Sequence, residues 1–249
     1  MERLLIIPAA GLGSRLGAHT PKLLAPVNGR PMLDHLLTMY AAVARVALIV
    51  HPGARAAVQQ ALAKSTAVVT VCVQETPTGM LDAILLAHSA VEAARPRRVW
   101  ITWCDQVAIH PATIERLAHA DESDPLVALP TCLRDSPYVH LARDPSGRIV
   151  RVLHRREGDA VPAAGESDAG LFSLSLRAYL ELLPEFAADP GAGSHTGERN
   201  FLPFIPWAAE RGSIVTFPCV EPAEAVGVNT PEDLAAVERT LRTRAAGQR

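Results

Sequence analysis

"IIPAAGLGSRLGAHTPKLLAPVNGRPM", Ile6 to Met32, starts as a buried strand and then gives up apolar residues for two glycines, an arginine and a Pro-Lys pair. Glycine lets backbone N–H groups come close to an anion, and Arg15 and Lys22 bring positive charge to the same place. A loop of this kind after a first strand lies outside the strand's carboxyl end, where open α/β sheets bind ligands. It is not a Walker A loop, because Gly-Lys-Ser/Thr is missing. Nor is it a dinucleotide fingerprint, because Ala18 stands where a helix should already have begun. Gly11 and Gly13 alone suit a plain turn as well as a ligand loop. Arg15 and Pro21-Lys22 at this spacing predict that the loop holds phosphate.

Outward from this loop the chain alternates. Leu4–Pro8 reads as a buried strand, and Pro31–Val43 as a helix with Met32, Leu33, Leu36, Leu37 and Tyr40 on one face. Strand-like Val46–Val50, Val68–Val73 and Val99–Trp103 alternate with helical Ala54–Lys64, Gly79–Ala94 and Pro111–Ala120. That rhythm predicts a Rossmann-like α/β fold, a mostly parallel sheet with helices on both faces. The second half changes character. Leu126–Leu133, Tyr138–Arg143, Ile149–His154 and Leu171–Ser175 read as strands, with Asp144-Pro-Ser-Gly147 as a hairpin turn, so a small antiparallel insertion is expected. Ala187–Arg199 lacks periodicity and reads as a mobile loop. Ile214–Val220 returns to strand, and Thr230-Pro-Glu-Asp233 opens a last helix. No repeat or linker divides residues 1–249, so a single domain is expected.

Composition narrows the function. A formal net charge of −2 offers no broad electrostatic grip on nucleic acid. No run of about 18 apolar residues exists to span a membrane, and Met1–Ala10 is too short and too weakly charged for a signal peptide. Cys72, Cys104, Cys132 and Cys219 are scattered without C-x-x-C spacing, as in a reducing cytosol, so a cytoplasmic protein is expected. Of 24 basic residues only Lys22 and Lys64 are lysine. A lysine at position 22 in so arginine-rich a chain hints that a compact ammonium is wanted there.

Read in order, Ala9-Ala-Gly-Leu-Gly-Ser-Arg15, Pro21-Lys-Leu-Leu24, Gly29-Arg-Pro-Met32, Gln74-Glu-Thr-Pro-Thr-Gly79, Trp103-Cys-Asp105, Asp168-Ala-Gly170-Leu-Phe172, Gly197-Glu198 and Val226-Gly-Val-Asn229 span nearly the whole chain. Together they resemble the sugar-1-phosphate nucleotidyltransferases, notably the glucose-1-phosphate thymidylyltransferases and the N-acetylglucosamine-1-phosphate uridylyltransferase domain. The resemblance implies a nucleotide-diphospho-sugar transferase fold, with residues 1–125 mainly for nucleotide, 126–225 mainly for acceptor, and 226–249 carrying a metal-ligand turn and the C-terminal helix. It implies that Ala10, Gly11, Gly13, Gln74 and Gly79 bind nucleotide and that Arg15 and Lys22 are catalytic. Asp105 and Asn229 would hold Mg²⁺, and Asp168, Gly170 and Glu198 would meet the acceptor.

The residues also have plainer readings. Asp105 would serve as a helix cap, Asn229 as a turn residue and Gln74 as an exposed strand end. Cys104 stands where the family has glycine. The family's Glu-Lys-Pro is replaced by Leu153-His-Arg-Arg-Glu157, which leaves Arg155 or Arg156 for the acceptor phosphate, or for solvent. The chemistry implied joins an NTP, a pyrimidine one on the Gln74 segment, to a sugar 1-phosphate. The partners are then an NTP and a phosphorylated small-molecule acceptor, with neither nucleic acid nor membrane and an open oligomeric state. A non-sugar phosphate or phosphonate acceptor, molybdopterin included, and a catalytically silent nucleotide sensor are the alternatives.

Overall fold

The computed structural model describes residues 2–11, 21–188, 193 and 195–247. The chain opens with β1 (Arg3–Ala9), then a two-residue hairpin of β2 (Pro26–Val27) and β3 (Arg30–Pro31) leads into α1 (Met32–Met39). Next come β4 (Arg45–Val50), α2 (Arg55–Leu62), β5 (Val69–Val73), α3 (Met80–Leu85), α4 (His88–Ala94), β6 (Arg98–Thr102) and α5 (Pro111–Ala120). The second half runs β7 (Val127–Asp135), β8 (Val139–Arg143), β9 (Ile149–His154), β10 (Ala164–Asp168), β11 (Leu171–Ser175), α6 (Leu183–Ala188), α7 (Phe204–Ala209), β12 (Ile214–Pro218) and α8 (Pro231–Gly247).

Among the described residues, eight strands make one sheet in the order β10-β7-β11-β6-β1-β4-β5, with β12 also on β7. β5, β4, β1 and β6 run parallel, and β12 runs parallel to β7. β11 is antiparallel to both β6 and β7. β8 and β9 form a separate antiparallel hairpin. Its turn is closed by Asp144 Oδ1, which accepts from Ser146 N at 3.0 Å and Arg148 N at 3.1 Å.

The sheet is apolar on both faces, and β1 shows why. Leu4 and Ile6 point into one core, with Ile49, Ile84 and Phe172. Leu5 and Ile7 point into the other, with Leu36, Leu48 and Trp100. A strand covered on both sides loses the polar alternation of a half-exposed one and becomes a continuous apolar run. From β1 the chain steps to β4 and β5 on one side, then returns to place β6 on the other side of β1. The residues leaving β1 and β6 therefore open on one crevice, the switch point of the sheet.

Three expectations are corrected here. The helix read over Gly79–Ala94 is two helices, α3 and α4. The Tyr179 hydroxyl donates to the Ile84 carbonyl at 2.8 Å, taking the acceptor that a continuous helix would offer to the N–H of His88. The short polar strand β10 and the helical stretch from Ala178, a π-turn over Ala178–Leu182 running into α6, were not legible as elements. Finally, residues 195–199 of the expected mobile loop are tied down. The Glu157 carboxylate accepts from His195 N at 3.1 Å, Thr196 N at 3.3 Å and the Thr196 hydroxyl at 2.5 Å.

Candidate active site

β6 is buried along its whole length and delivers Trp103, Cys104 and Asp105 to the crevice. Asp105 is 9% exposed. Opposite it, the turn before α8 is held by a reciprocal cap. Asp233 Oδ2 accepts from Asn229 N at 3.1 Å and Thr230 N at 2.9 Å, while Thr230 Oγ1 accepts from Asp233 N at 3.2 Å. That cap fixes Asn229. The two segments are stitched by Val228 N donating to the Asp105 carbonyl at 3.2 Å. A Cβ on Gly227 would sit 3.0 Å from Asp105 Oδ2, so the turn is already packed against the carboxylate.

Lys22 completes the cluster. Pro21 leads into a single 3-10 turn, Lys22–Leu24, anchored by buried Leu23. From there the Lys22 ammonium donates to Asp105 Oδ2 at 2.5 Å and to Asn229 Oδ1 at 2.8 Å. Three residues separated by up to 207 positions thus meet at one point. Both expected metal ligands face a single cation, and both present hard oxygens, the donor type that Mg²⁺ takes. Among the described residues no group of three His, Cys, Asp or Glu side chains is arranged to hold a metal. Two protein oxygens complemented by phosphate oxygens and water is how Mg²⁺ is commonly bound at nucleotide sites, and Asp105 with Asn229 fits that pattern.

A cavity of about 710 Å³ opens from this cluster. Its lining includes Ala10, Gly11, Gln74 and Gly79. Among the described residues, nothing lies within 4 Å of a Cβ built on Gly11. Gln74 is 6% exposed, and its Nε2 donates to the Gly79 carbonyl at 3.1 Å. That bond fixes the amide and leaves Oε1 as its acceptor. Gly13 and Arg15, expected in the same loop, lie outside the described residues.

Gly79 proves to serve the protein's own backbone. Its φ is +123°, and a Cβ would fall 2.4 Å from both N and O of Arg199. Arg199 N donates to the Thr78 carbonyl at 2.8 Å, and Leu81 N donates to the Arg199 carbonyl at 3.0 Å. Gly79→Ala is expected to destabilise the fold by at least about 1–3 kcal/mol from backbone strain alone, read as a lower midpoint in urea unfolding.

The cavity lining also includes Arg134, His154, Arg156, Asp168 and Glu198. Asp168 accepts from Gly170 N at 2.8 Å. Burial pushes its carboxyl up to about 6, only partly offset by that N–H and by the nearby Arg134 charge. Burial likewise lowers the pKa of His154. Arg156 pairs with Glu198 at 3.2 Å. Arg155 is turned away and donates to Ser136 Oγ at 3.0 Å and the Pro137 carbonyl at 3.2 Å. Of the two adjacent arginines, Arg156 takes the place in the wall that was expected of Arg155.

Gly170 is not in the wall either. Its φ is +70°, and a Cβ there would lie 2.6 Å from Gln106 Cγ and from Trp103 Cδ1, so it packs the β10–β11 turn against the segment carrying Asp105. Burial, and then the Asp105 charge, pushes the Cys104 thiol up to about 12. Arg134, Gln106 and Arg199 were not foreseen. Among the described residues, the buried side-chain polar atoms without a hydrogen-bond partner are Gln106 Oε1 and Arg199 Nε, both on residues of this wall.

Residues 5–195 match the family described as the MobA-like NTP transferase domain. A bifunctional protein GlmU of Alkalilimnicola ehrlichii is 31% identical over 97% of this chain, which spans 51% of that relative. One from Desulfotalea psychrophila is 28% identical over 96% of this chain and 70% of its own length. The chain thus spans about half to two thirds of these curated relatives. Among solved structures, a putative glucose-1-phosphate thymidylyltransferase from Bacillus anthracis aligns with a TM-score of 0.79 at 16% identity, covering 97% of this chain and 96% of its own. HddC from Yersinia pseudotuberculosis aligns at 0.69 with 18% identity, covering 97% and 100%. With a matched domain that takes in β1, the switch-point crevice, Lys22 and Asp105, this chain belongs to the MobA-like NTP transferase family.

Proposed function

We propose that the chain transfers the nucleotidyl group of an NTP, a pyrimidine one, to a sugar 1-phosphate and releases pyrophosphate. The observation that carries this is the meeting of Lys22, Asp105 and Asn229 in the lining of a cavity. That lining also holds Gly11 and Gln74, suited to a nucleotide, and Arg134, Arg156, Asp168 and Glu198, suited to a phosphorylated, hydroxylated acceptor.

The nucleophile in such a transfer is a phosphate oxygen of the acceptor. It attacks the α-phosphorus, a P–O bond forms, and the bond from α-phosphorus to the bridging oxygen breaks as pyrophosphate leaves. That oxygen is already anionic, so no general base is required. What the protein supplies is alignment and neutralisation of groups that repel one another. Lys22, on a flexible four-carbon stem, carries its ammonium from the Asp105–Asn229 pair to phosphate oxygen. Arg15, in the same loop, neutralises the departing pyrophosphate. Gln74, with Nε2 committed to Gly79, presents Oε1 to an N–H on the edge of the base. Asp168 and Glu198 accept from acceptor hydroxyls, and Arg134 and Arg156 lie within reach of its phosphate. Mg²⁺, held by Asp105 and Asn229, supplies further charge neutralisation when bound.

Pyrophosphate release measured with UTP, CTP, dTTP, ATP and GTP against sugar and non-sugar phosphates, with and without Mg²⁺, tests this reading. Release is expected with a pyrimidine NTP and a sugar 1-phosphate, in the presence of Mg²⁺ only. Release with a non-sugar acceptor alone would replace the acceptor assignment. Release with none would leave a nucleotide-sensing protein.

A further inference from the structure

β12 and β7 run parallel, and their register pairs Phe217 with Pro130 and Pro218 with Thr131. The register continues one step further, because Cys219 N donates to the Thr131 carbonyl at 2.8 Å. Cys219 therefore lies beside Cys132 on the same face, 87 positions away in sequence, and both pack into the same apolar cluster. Adjacent strands lie about 4.8 Å apart, within the roughly 4.4–6.8 Å between Cα atoms that a disulfide requires. Cys132 is buried, whereas Cys219 is partly open to solvent.

From this juxtaposition we infer that Cys132 and Cys219 form a dithiol site that is oxidised reversibly to a disulfide, closing β12 onto β7. The oxidant is a peroxide. One thiolate attacks a peroxide oxygen, giving a sulfenic acid and one molecule of water. The second thiol attacks that sulfur, the S–S bond forms, and a second water leaves. Two protons and two electrons pass from the thiols to the peroxide, and a dithiol reductant reverses the step. The hydrogen bond from Cys219 lowers the pKa of Cys132, aided by the Arg134 charge and opposed by burial, while the Cys219 thiol is raised. Cys132 is thus the side favoured as thiolate.

The position matters for the site. Cys132 is the register partner of Ser167, and Thr131 of Asp168, across β7 and β10. A bond from Cys132 to Cys219 would tie β12 to the strand on which the Asp168 wall hangs. The other two cysteines offer an internal control: Cys72 pairs in register with Ile49, on the far side of the sheet, and Cys104 is locked as a thiol.

The test does not depend on any activity. The folded protein is treated with hydrogen peroxide, then denatured, and its thiols are titrated and its mass measured. Two of four thiols should disappear together, with a mass lower by two hydrogen atoms and a Cys132–Cys219 cross-linked peptide after digestion, all reversed by dithiothreitol. Cys132→Ser and Cys219→Ser should each abolish the paired loss, whereas Cys72→Ser should keep it. The inference is overturned if the thiols are lost singly as oxygen adducts, if the cross-linked peptide joins other cysteines, or if Cys219→Ser leaves the two-thiol loss intact.

Discussion

Lys22→Ala is expected to lower turnover at least tenfold, toward the 10²–10³-fold loss that accompanies removal of about 2.7–4 kcal/mol of preorganised electrostatic stabilisation. The ammonium lies 2.5 Å from Asp105 Oδ2 and 2.8 Å from Asn229 Oδ1. Among the described residues it is the cation that meets both Asp105 and Asn229, where triphosphate and acceptor would converge. Single-turnover pyrophosphate release separates its roles. A loss confined to the chemical step, with the acceptor KM little changed, marks an interaction made in the transition state. Lys22→Arg should recover little, because a bulky planar guanidinium spreads its charge and fixes its N–H groups in a fork, and so cannot stand in for a compact ammonium on a flexible stem. Circular dichroism checks that leaving Asp105 without its cation has not unfolded the chain. Turnover of Lys22→Ala within twofold of the parent would remove Lys22 from the reaction.

How much of this was legible follows from burial. β1, β4 and β6 are covered on both faces, so they read as unbroken apolar runs, and their alternation with helices led to the parallel sheet. Lys22, Asp105 and Asn229 were each legible as a polar residue at an element end, and the family pattern joined them. The acceptor wall was less readable. β10, Ala-Gly-Glu-Ser-Asp, is a short polar strand at the end of the sheet, held by its ladder to β7 and not by an apolar face of its own. Arg155 and Arg156 are chemically identical, and only the 3-10 turn after β9 decides which one reaches the cavity. The split between α3 and α4 depends on the hydroxyl of Tyr179, nearly a hundred residues away. The pairing of Cys132 with Cys219 needs the β7–β12 register, which no spacing rule supplies. Gly79, implied by the resemblance to meet the nucleotide, makes room for the backbone of Arg199, which no sequence spacing reveals.

Asp168→Asn should stabilise the protein, and only above a defined pH. In the native state burial holds this carboxyl protonated up to about pH 6, while in the unfolded chain it ionises near its ordinary value of about 3.9. Between those values the native state carries one more proton than the unfolded state. Stability therefore falls as pH rises across the window and stays lower above it, by on the order of 2–3 kcal/mol. An asparagine does not ionise and keeps an Oδ1 to accept from Gly170 N, now 2.8 Å away. Urea unfolding should show Asp168→Asn more stable than the parent by about that amount at pH 7.5, with the difference gone at pH 4. An equal gain at both values would mean that the carboxyl is not held above its ordinary pKa. The same substitution should weaken acceptor binding, because the Asp168 carboxylate in the cavity lining is an acceptor that a substrate hydroxyl can satisfy. A gain in stability together with a raised acceptor KM is the signature of a residue kept for its ligand at the expense of the fold. A gain in stability with unchanged acceptor KM would instead place Asp168 outside the acceptor's reach.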